Sequence, residues 1–223
     1  ELVHQLNDSG AKVVIVLDQF YDTLSKALPN TEVEHVIVTR PIDLIKQPKQ
    51  AFLSVIMKSL GKRPNITGSS VIDFKDTLEV GSTYISYTSS LNDICALQYT
   101  GGTTGASKGV KLTQASLLSN IAQALDTISV VPESLKHSVI VAPLPLYHIY
   151  AYSLCFGVLP AIRGHAILIP DPRNIDLFVS AIKKFEFDIF CGLNSLFVAL
   201  LANKEFQKLN FTKLKMTLSG GMA

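Results

Sequence analysis

Short apolar runs rich in β-branched residues alternate along the chain with longer segments whose apolar positions recur at helical spacing. Strands are predicted at 12–18, 33–39, 94–100, 110–112, 137–142, 166–169, 187–191 and 215–218. Helices are predicted at 1–7, 19–28, 49–60, 73–78, 114–128 (with Thr113 as N-cap), 149–159, 175–185 and 194–201. This alternation predicts an α/β fold of αβα layers, in which helices cover largely parallel sheets.

Composition narrows the class of protein. Hydrophobic residues make up 48% of the 223 positions and charged residues 17%, which excludes a disordered chain. The net charge is only +2 and the basic residues are scattered, so nucleic acid is not an expected partner. Cys95, Cys155 and Cys191 are far apart and form no C-x-x-C pair, so we expect buried thiols in a reduced, cytoplasmic setting.

One apolar stretch needs a membrane test. Ser138 to Ile162 contains no Asp, Glu, Lys or Arg, but Pro143, Pro145 and Pro160 interrupt it. The uninterrupted part, 146–159, is shorter than the roughly 20 residues that a spanning helix needs. The pattern therefore predicts a helix buried in the protein core.

The composition changes once along the chain, between about residues 63 and 88, where Gly, Ser, Thr and turn residues become frequent. We therefore predict a front part, 1–88, and a back part, 89–223. The chain begins without Met and stops in a strand-to-turn segment, so we expect a piece of a longer protein.

The most informative segment, 99–110, reads Y-T-G-G-T-T-G-A-S-K-G-V. Its glycines let backbone N–H groups approach a ligand, its hydroxyls can donate to phosphate oxygens, and Lys108 adds a positive charge. It is not a Walker A loop, because no glycine has the required spacing before Lys108 and a strand follows in place of a helix. The pattern favours an anion cradle over a Gly/Thr-rich hairpin turn with no ligand.

This segment closely resembles the phosphate-binding loop of the adenylate-forming superfamily, Tyr-Thr-Ser-Gly-Thr-Thr-Gly-x-Pro-Lys-Gly-Val. It departs from that pattern at Gly101 and at Ser107, which lacks the fixed φ angle of proline. Residues 143–150 (P-L-P-L-Y-H-I-Y) and 219–223 (S-G-G-M-A) resemble two further segments of the superfamily in the same order. The resemblance is to the bacterial long-chain fatty-acid–CoA ligases and is weakest over 47–88.

The resemblance implies a role for each matching residue. The ATP phosphates would contact Thr100, Gly101, Gly102, Thr103, Thr104, Gly105 and Lys108, and Thr103 or Thr104 would help to hold Mg²⁺. The catalytic residues would be Lys108, acting as a fixed charge, and His148, near the carboxylate and the α-phosphate. Gly220 and Gly221 would flank the adenine, and Tyr147, Tyr152, Gly220 and Met222 would line the acyl pocket.

The residue types alone leave alternatives open. A lone His148 is commonly a helix-start histidine bonded to the backbone, and Tyr147 can simply pack. Tyr152 is equally compatible with a bulky side chain at the tunnel entrance and with helix packing. The apolar residues of a fatty-acid tunnel, for which Phe156, Leu196 and their neighbours are candidates, cannot be told from ordinary core by sequence.

The implied reaction is ATP-dependent activation of a long-chain fatty acid to an acyl-adenylate, with CoA as co-substrate and Mg²⁺ as cofactor. The implied location is cytoplasmic, compatible with peripheral attachment to the inner face of the membrane and with a homo-oligomer. The downstream Tyr-Gly-x-Thr-Glu and Thr-Gly-Asp segments and the C-terminal-domain lysine do not occur before Ala223. We therefore expect this piece to fold, to bind ATP weakly and not to turn over, and to expose apolar surface that promotes self-association.

Other functions compete with this one. Within the superfamily, a ligase for medium-chain or aromatic acids and an acyl-AMP ligase of another chain length remain open. A non-catalytic nucleotide- or lipid-binding module would keep the loop for structure alone. A P-loop phosphotransferase is disfavoured by the spacing of the loop.

Overall fold

The computed structural model describes residues 1–59, 66, 70–79, 86–100, 105–128 and 135–220. The chain divides into two compact units, the first formed by 1–88 with 97–111 and the second by 89–96 with 112–223. The predicted division near residue 88 stays a prediction about domains. Of the Gly-, Ser- and Thr-rich stretch at 63–88, residues 63–65, 67–69 and 80–85 lie outside the described residues.

A small parallel sheet with helices forms the first unit. Its elements are α1 (Leu2–Ser9), β1 (Val13–Leu17), α2 (Tyr21–Ala27), β2 (His35–Thr39), α3 (Lys49–Ser59), β3 (Val71–Asp73) and α4 (Phe74–Glu79). The strands pair in the order β1-β2-β3, with Val36 opposite Val14 on one side and Val71 on the other. The sequence did not predict β3, which is only three residues long.

The core of the first unit lies on one face of this sheet. Tyr21 and Leu24 of α2 pack there against Val36 and Val38 of β2, and each of the four is less than 5% exposed. The helix α1 ends where predicted, at Gly10, whose φ of 64° is in the left-handed region that glycine adopts readily.

A two-stranded sheet carries the Gly/Thr-rich segment. Its strands are β4 (Ile94–Thr100) and β5 (Lys108–Thr113). The helix α5 (Gln114–Ile128) follows β5 directly, and Thr113 Oγ1 accepts a hydrogen bond from the Ser116 N–H at 3.2 Å. This confirms the predicted cap.

The second unit contains a four-stranded sheet that is parallel throughout. After α5 come β6 (Val139–Ala142), α6 (Ile149–Tyr152), α7 (Leu159–Ala161), β7 (His165–Leu168), α8 (Ile175–Ile182), β8 (Ile189–Gly192), α9 (Asn194–Leu201) and β9 (Met216–Ser219). The strand order is β7-β6-β8-β9. The predicted α/β class with largely parallel sheets is confirmed.

Both faces of this sheet are buried, as the continuous apolar runs predict. Val141 and Phe190 point to a cluster built with Phe178 and Ile182 of α8 and with Leu200 of α9. On the other face, Ile140, Ile189 and Cys191 meet Leu154 and Val158, which lie between α6 and α7. Alternate residues of one strand thus serve two separate cores.

The predicted helix at 149–159 is not a uniform α-helix. Between α6 and α7 it continues without a break as a π-helical stretch, Ser153–Val158. Leu154, Val158 and Leu159 pack with strand residues of the sheet and Ala151 is also buried, which confirms the prediction of a core helix. Within the described part of the chain, no helix has both the length and the apolar character needed to cross a membrane.

Candidate functional site

In the first unit, the structure describes the flanks of the predicted phosphate loop. Thr100 is the last residue of β4 and Lys108 the first of β5, and both are exposed, as is Gly105. Gly101, Gly102, Thr103 and Thr104 lie outside the described residues, so their predicted phosphate contacts stay predictions. An exposed lysine at the start of a strand is available as a point charge for a polyanion.

Tyr99 packs tightly on the strand that follows the loop. A Cβ atom added at Gly109 would lie 2.9 Å from Cζ of the Tyr99 ring and 3.2 Å from its Oη. Real side chains essentially never approach so closely, so the ring occupies space that only glycine leaves free. The glycine after Lys108 therefore has a packing role in addition to its place in the motif.

In the second unit, both recognised segments follow the carboxyl ends of parallel strands. Residues 143–148 follow β6 and Gly220 follows β9, while Leu193 follows the strand between them, β8. The neighbouring strands β6 and β8 send their connections in opposite directions, to β7 and to β9. Ligands of open α/β sheets bind in the crevice at such a reversal, so this edge is a candidate ligand site.

His148 begins the helix at this edge. Its Nδ1 accepts a hydrogen bond from the Tyr150 N–H at 3.3 Å, and its carbonyl accepts one from the Tyr152 N–H at 2.9 Å. Since Nδ1 is the acceptor, the neutral ring carries its proton on Nε2, which can then donate to a ligand. The helix-start role left open by the sequence is therefore present, and the side chain is also exposed.

The two tyrosines predicted for the acyl pocket are placed differently from each other. Tyr147 is 79% exposed at the edge of the sheet. Tyr152 is half-buried, and its ring centroid lies 5.3 Å from that of Phe156, so it packs within its own helix. Neither tyrosine lines the apolar cavities of this unit that are described below.

Tyr150, for which the sequence predicted no role, is half-buried at the same edge. Its Cε1 lies 3.8 Å from the position of a Cβ at Gly220, and its hydroxyl contacts Cys191 of β8. Burial, and after it the neighbouring Cys191, raises the pKa of the Tyr150 hydroxyl. The signal available in sequence was its position two residues after His148, which places it at the start of the helix.

Gly220 is held beside the end of β8. Its N–H donates to the Gly192 carbonyl at 3.4 Å, and the preceding Ser219 donates through Oγ to Asn194 Oδ1 at 2.7 Å. The end of β9 is thereby tied to the start of α9. Gly221 and Met222 lie outside the described residues, so their predicted contacts with adenine and acyl chain stay predictions.

Several apolar cavities open in the described part of the second unit, including one of about 330 Å³ lined by Phe197, Leu201 and Phe206. A cavity of about 370 Å³ lies between the sheet, α5 and the helix at 149–161, and is lined by residues including Leu125, Ile140, Leu154, Val158, Ile189 and Leu218. Another of about 320 Å³ lies at the carboxyl edge, against Pro143, Leu193 and Leu196. Of the apolar tunnel candidates named from sequence, Leu196 lines the cavity at the carboxyl edge, whereas Phe156 is 59% exposed.

The two candidate metal ligands, Thr103 and Thr104, lie outside the described residues, so their role in holding Mg²⁺ stays a prediction. Within the described ranges, no three His, Cys, Asp or Glu side chains converge as a possible metal-binding group. A magnesium ion that is bound to nucleotide phosphates needs only one or two protein ligands, so a hydroxyl oxygen of the loop is a suitable ligand.

The profile of the AMP-binding enzyme family matches residues 1–223. The chain is 38% identical over 225 residues to the long-chain-fatty-acid–CoA ligase of Salmonella typhimurium strain LT2. It is 38% identical over 228 residues to the ligase of the same name from Haemophilus influenzae. Each alignment covers 100% of this chain and 40% of the relative, so the chain spans less than half the length of these curated relatives.

A solved structure confirms the same fold. The anthranilate CoA ligase AuaEII, in complex with anthranoyl-AMP, superimposes with a TM-score of 0.73 at 21% sequence identity. The superposition covers 100% of this chain and 38% of that protein. At this level of identity the match concerns the fold alone.

Proposed function

This chain belongs to the AMP-binding enzyme family, and from that premise we propose that it carries the ATP-phosphate loop and part of the acyl pocket of a long-chain fatty-acid–CoA ligase. The fatty-acid carboxylate attacks the α-phosphorus of ATP, and the bond to the β-phosphate breaks to release pyrophosphate. The CoA thiol then attacks the acyl carbonyl, loses its proton and displaces AMP, leaving the thioester. The observation that carries this proposal is the 38% identity, over the whole chain, to two ligases with that name.

Lys108 and the loop before it bind the β- and γ-phosphates. The lysine is exposed and lies at the junction of the loop and β5. Its ammonium group can therefore reach the phosphates while the backbone of β5 stays in place. It acts as a charge that stabilises the leaving pyrophosphate and takes no part as a base. Magnesium, when bound with ATP, neutralises further phosphate charge, with Thr103 or Thr104 as its proposed protein ligand.

His148 donates a hydrogen bond through Nε2 to the reacting oxygens. Its Nδ1 already accepts the Tyr150 N–H, so the ring is oriented by the helix that it begins. A donor fixed before the reaction costs little reorganisation when charge develops on the carboxylate and α-phosphate. The same hydrogen bond leaves Nε2 for the substrate, and the His148 side chain is exposed.

The acyl chain occupies the apolar cavity of about 370 Å³ between the helix at 149–161 and the sheet. The side chains that line it are almost all aliphatic, and Asp126 is its one charged lining residue among those described. Each CH₂ group buried there stabilises the complex by about 0.8 kcal/mol, which favours a long chain over a short one. Chain-length selection therefore follows from the depth of this cavity.

The test is fatty-acid-dependent exchange of pyrophosphate into ATP, measured in the full-length protein and in residues 1–223 alone, with palmitate and with benzoate. We expect exchange with palmitate in the full-length protein only. Exchange with benzoate and not with palmitate would mean that the substrate is an aromatic acid in place of a fatty acid. Absence of exchange with both acids would leave the non-catalytic nucleotide- or lipid-binding module as the function.

A lysine pair on β5 separates a binding role of the loop from a structural one. Lys108→Ala is expected to raise the KM for ATP roughly 10- to 150-fold, because it removes a hydrogen bond to a charged group. Lys111→Ala is the matched control, since Lys111 is an exposed lysine on the same strand and outside the loop. Equal ATP affinity in the two variants would mean that the loop is kept for structure.

A further inference from the structure

The N-terminal helix α1 contacts both flanks of the phosphate loop. The Tyr99 hydroxyl, just before the loop, donates to Asp8 Oδ2 at 2.6 Å. Just after the loop, His4 Nε2 lies 2.9 Å from the Ser107 carbonyl oxygen, and Gln5 Nε2 donates to Ser107 Oγ at 3.2 Å. These contacts join residues between 91 and 103 positions apart in the chain.

The contacting side chains come from one side of α1. His4 and Asp8 are four residues apart and therefore lie one turn above each other, with Gln5 next to them. The apolar residues of the same helix, Leu2 and Leu6, pack against the buried cluster formed by α2 and β2. The helix is thus fixed to its own unit by apolar contacts and offers its polar side chains to the loop flanks.

Ser107 is restricted by its surroundings although it lacks the ring of proline. It stands where the superfamily pattern has proline, yet it is only 6% exposed, and both its carbonyl and its hydroxyl are bonded to α1. Proline would restrict this position through its ring. Here hydrogen bonds from His4 and Gln5, together with one between Ser107 and the Glu1 carboxylate at the start of the helix, provide the restriction.

Tyr99 is restricted in a comparable way. Its ring fills the space above Gly109, and its hydroxyl is bonded to Asp8. The hydrogen bond to the Asp8 carboxylate raises the pKa of the Tyr99 hydroxyl, which is the direction expected when the protonated phenol is the bonded form. Both ends of the loop are therefore tied to the same helix.

We propose that His4, Gln5 and Asp8 are positioning residues that fix the two anchor points of the phosphate loop, Tyr99 and Ser107, before ATP binds. The inference rests on the proposed function, in which this loop binds the ATP phosphates. Anchors that are already fixed lose less conformational entropy when ATP binds, so binding costs less free energy. Loss of these contacts then weakens ATP binding and leaves fatty-acid binding unchanged.

Kinetics of the full-length protein test the positioning role. Tyr99→Phe combined with Gln5→Leu removes one hydrogen bond at each anchor and keeps the Tyr99 ring on Gly109. We expect the KM for ATP to rise roughly 3- to 10-fold, a range set by the modest net worth of such bonds, with the KM for palmitate unchanged. Asp8→Asn keeps an oxygen acceptor for Tyr99 and should behave like the parent protein.

Asn7→Ala is the matched control on α1. Asn7 donates to the Asn30 carbonyl and touches neither anchor, so its loss weakens the attachment of the helix without reaching the loop. A purely structural role of α1 would lower stability in all variants and leave the KM for ATP unchanged. That result, or equal rises of the KM for ATP in Asn7→Ala and the double variant, would overturn the inference.

Hydrogen exchange separates this inference from the proposed function. In the nucleotide-free protein, the peptide covering 97–111 should exchange its amides several-fold faster in the double variant than in the parent or in Asn7→Ala. This readout needs no catalysis. Faster exchange in a protein without pyrophosphate exchange would support the anchoring and refute the ligase, whereas unchanged exchange would refute the anchoring in an active enzyme.

Discussion

Gly157, in the π-helical stretch, lies directly against Ile121 of α5. A Cβ atom at position 157 would be 2.6 Å from Cγ1 and 2.7 Å from Cδ1 of Ile121. The approach of these two elements is therefore set by the absence of one side chain. The same two elements form walls of the apolar cavity of about 370 Å³, through Leu125 of α5 and through Val158 beside Gly157.

Gly157→Ala should destabilise the protein by about 1–3 kcal/mol, the usual cost of overpacking. Alanine is the better helix former by about 1 kcal/mol, so any loss must come from the collision with Ile121. The measurement is urea unfolding followed by circular dichroism. In an Ile121→Ala background the same change at 157 should cost nothing, and a full cost there would contradict the proposed contact.

Gly109→Ala should force the Tyr99 ring away from its position and break the hydrogen bond to Asp8. The expected loss of unfolding free energy is about 1 kcal/mol, because the ring can swing outward and only one hydrogen bond is lost. Gly105→Ala is the control, since a Cβ there has no neighbour within 4 Å. In a Tyr99→Ala background, Gly109→Ala should have almost no further effect on thermal unfolding.

His148 combines a capping role with a proposed substrate contact, and two substitutions separate them. His148→Asn keeps an N-cap residue but loses the Nε2 donor, whereas His148→Ala loses both. We expect both variants to lower kcat/KM for palmitate activation roughly 10- to 150-fold, the range for a hydrogen bond to a charged group. His148→Asn should keep the melting temperature of the parent protein. If this variant also had the kcat/KM of the parent, capping would be the only role of His148.

Asp188 gives the second unit a pH dependence. Burial would raise the pKa of its carboxyl, but hydrogen bonds from Lys215 and from the Val139 N–H outweigh it and lower the pKa. A lowered pKa in the folded state means that Asp188 contributes stability above the unfolded value of about 3.9, and that this contribution is lost as pH falls through the folded value. Asp188→Asn should therefore be less stable at pH 7 and approach the parent below pH 4.

The control for this experiment is an exposed ion pair of the same unit. Lys213 and Glu186 are in contact, with side chains 60% and 63% exposed. Glu186→Gln should leave stability unchanged across the same pH range, because exposed pairs contribute little. A pH dependence that survives in Asp188→Asn would assign it to another group.

The cysteines should differ in reactivity. Cys191 is only 1% exposed, and this burial is the main reason why the pKa of its thiol is raised to about 12. Alkylation by iodoacetamide at pH 8 requires the thiolate, so Cys191 should remain unmodified in the folded protein. Mass spectrometry of each cysteine peptide, with a sample unfolded in guanidinium as reference, measures this directly.

The sequence by itself determined the elements and the family. Period and turn chemistry were sufficient for the strands around Val14 and Ile140, for the stop at Gly10 and for the cap at Thr113, because each depends on residues within a few positions. The loop at 99–110 and the segment around His148 were recognisable because their chemistry is contiguous in the chain. Fold class and family followed from these local signals.

The tertiary structure decided how these elements meet. The three-residue strand at Val71 is too short to show a period and exists because β2 pairs with it. Tyr150 reaches Gly220, and Asp8 reaches Tyr99, across 70 and 91 positions of sequence respectively. Such contacts depend on strand order, register and the faces that helices bury, which are settled only when distant apolar residues pack together, so no local pattern encodes them.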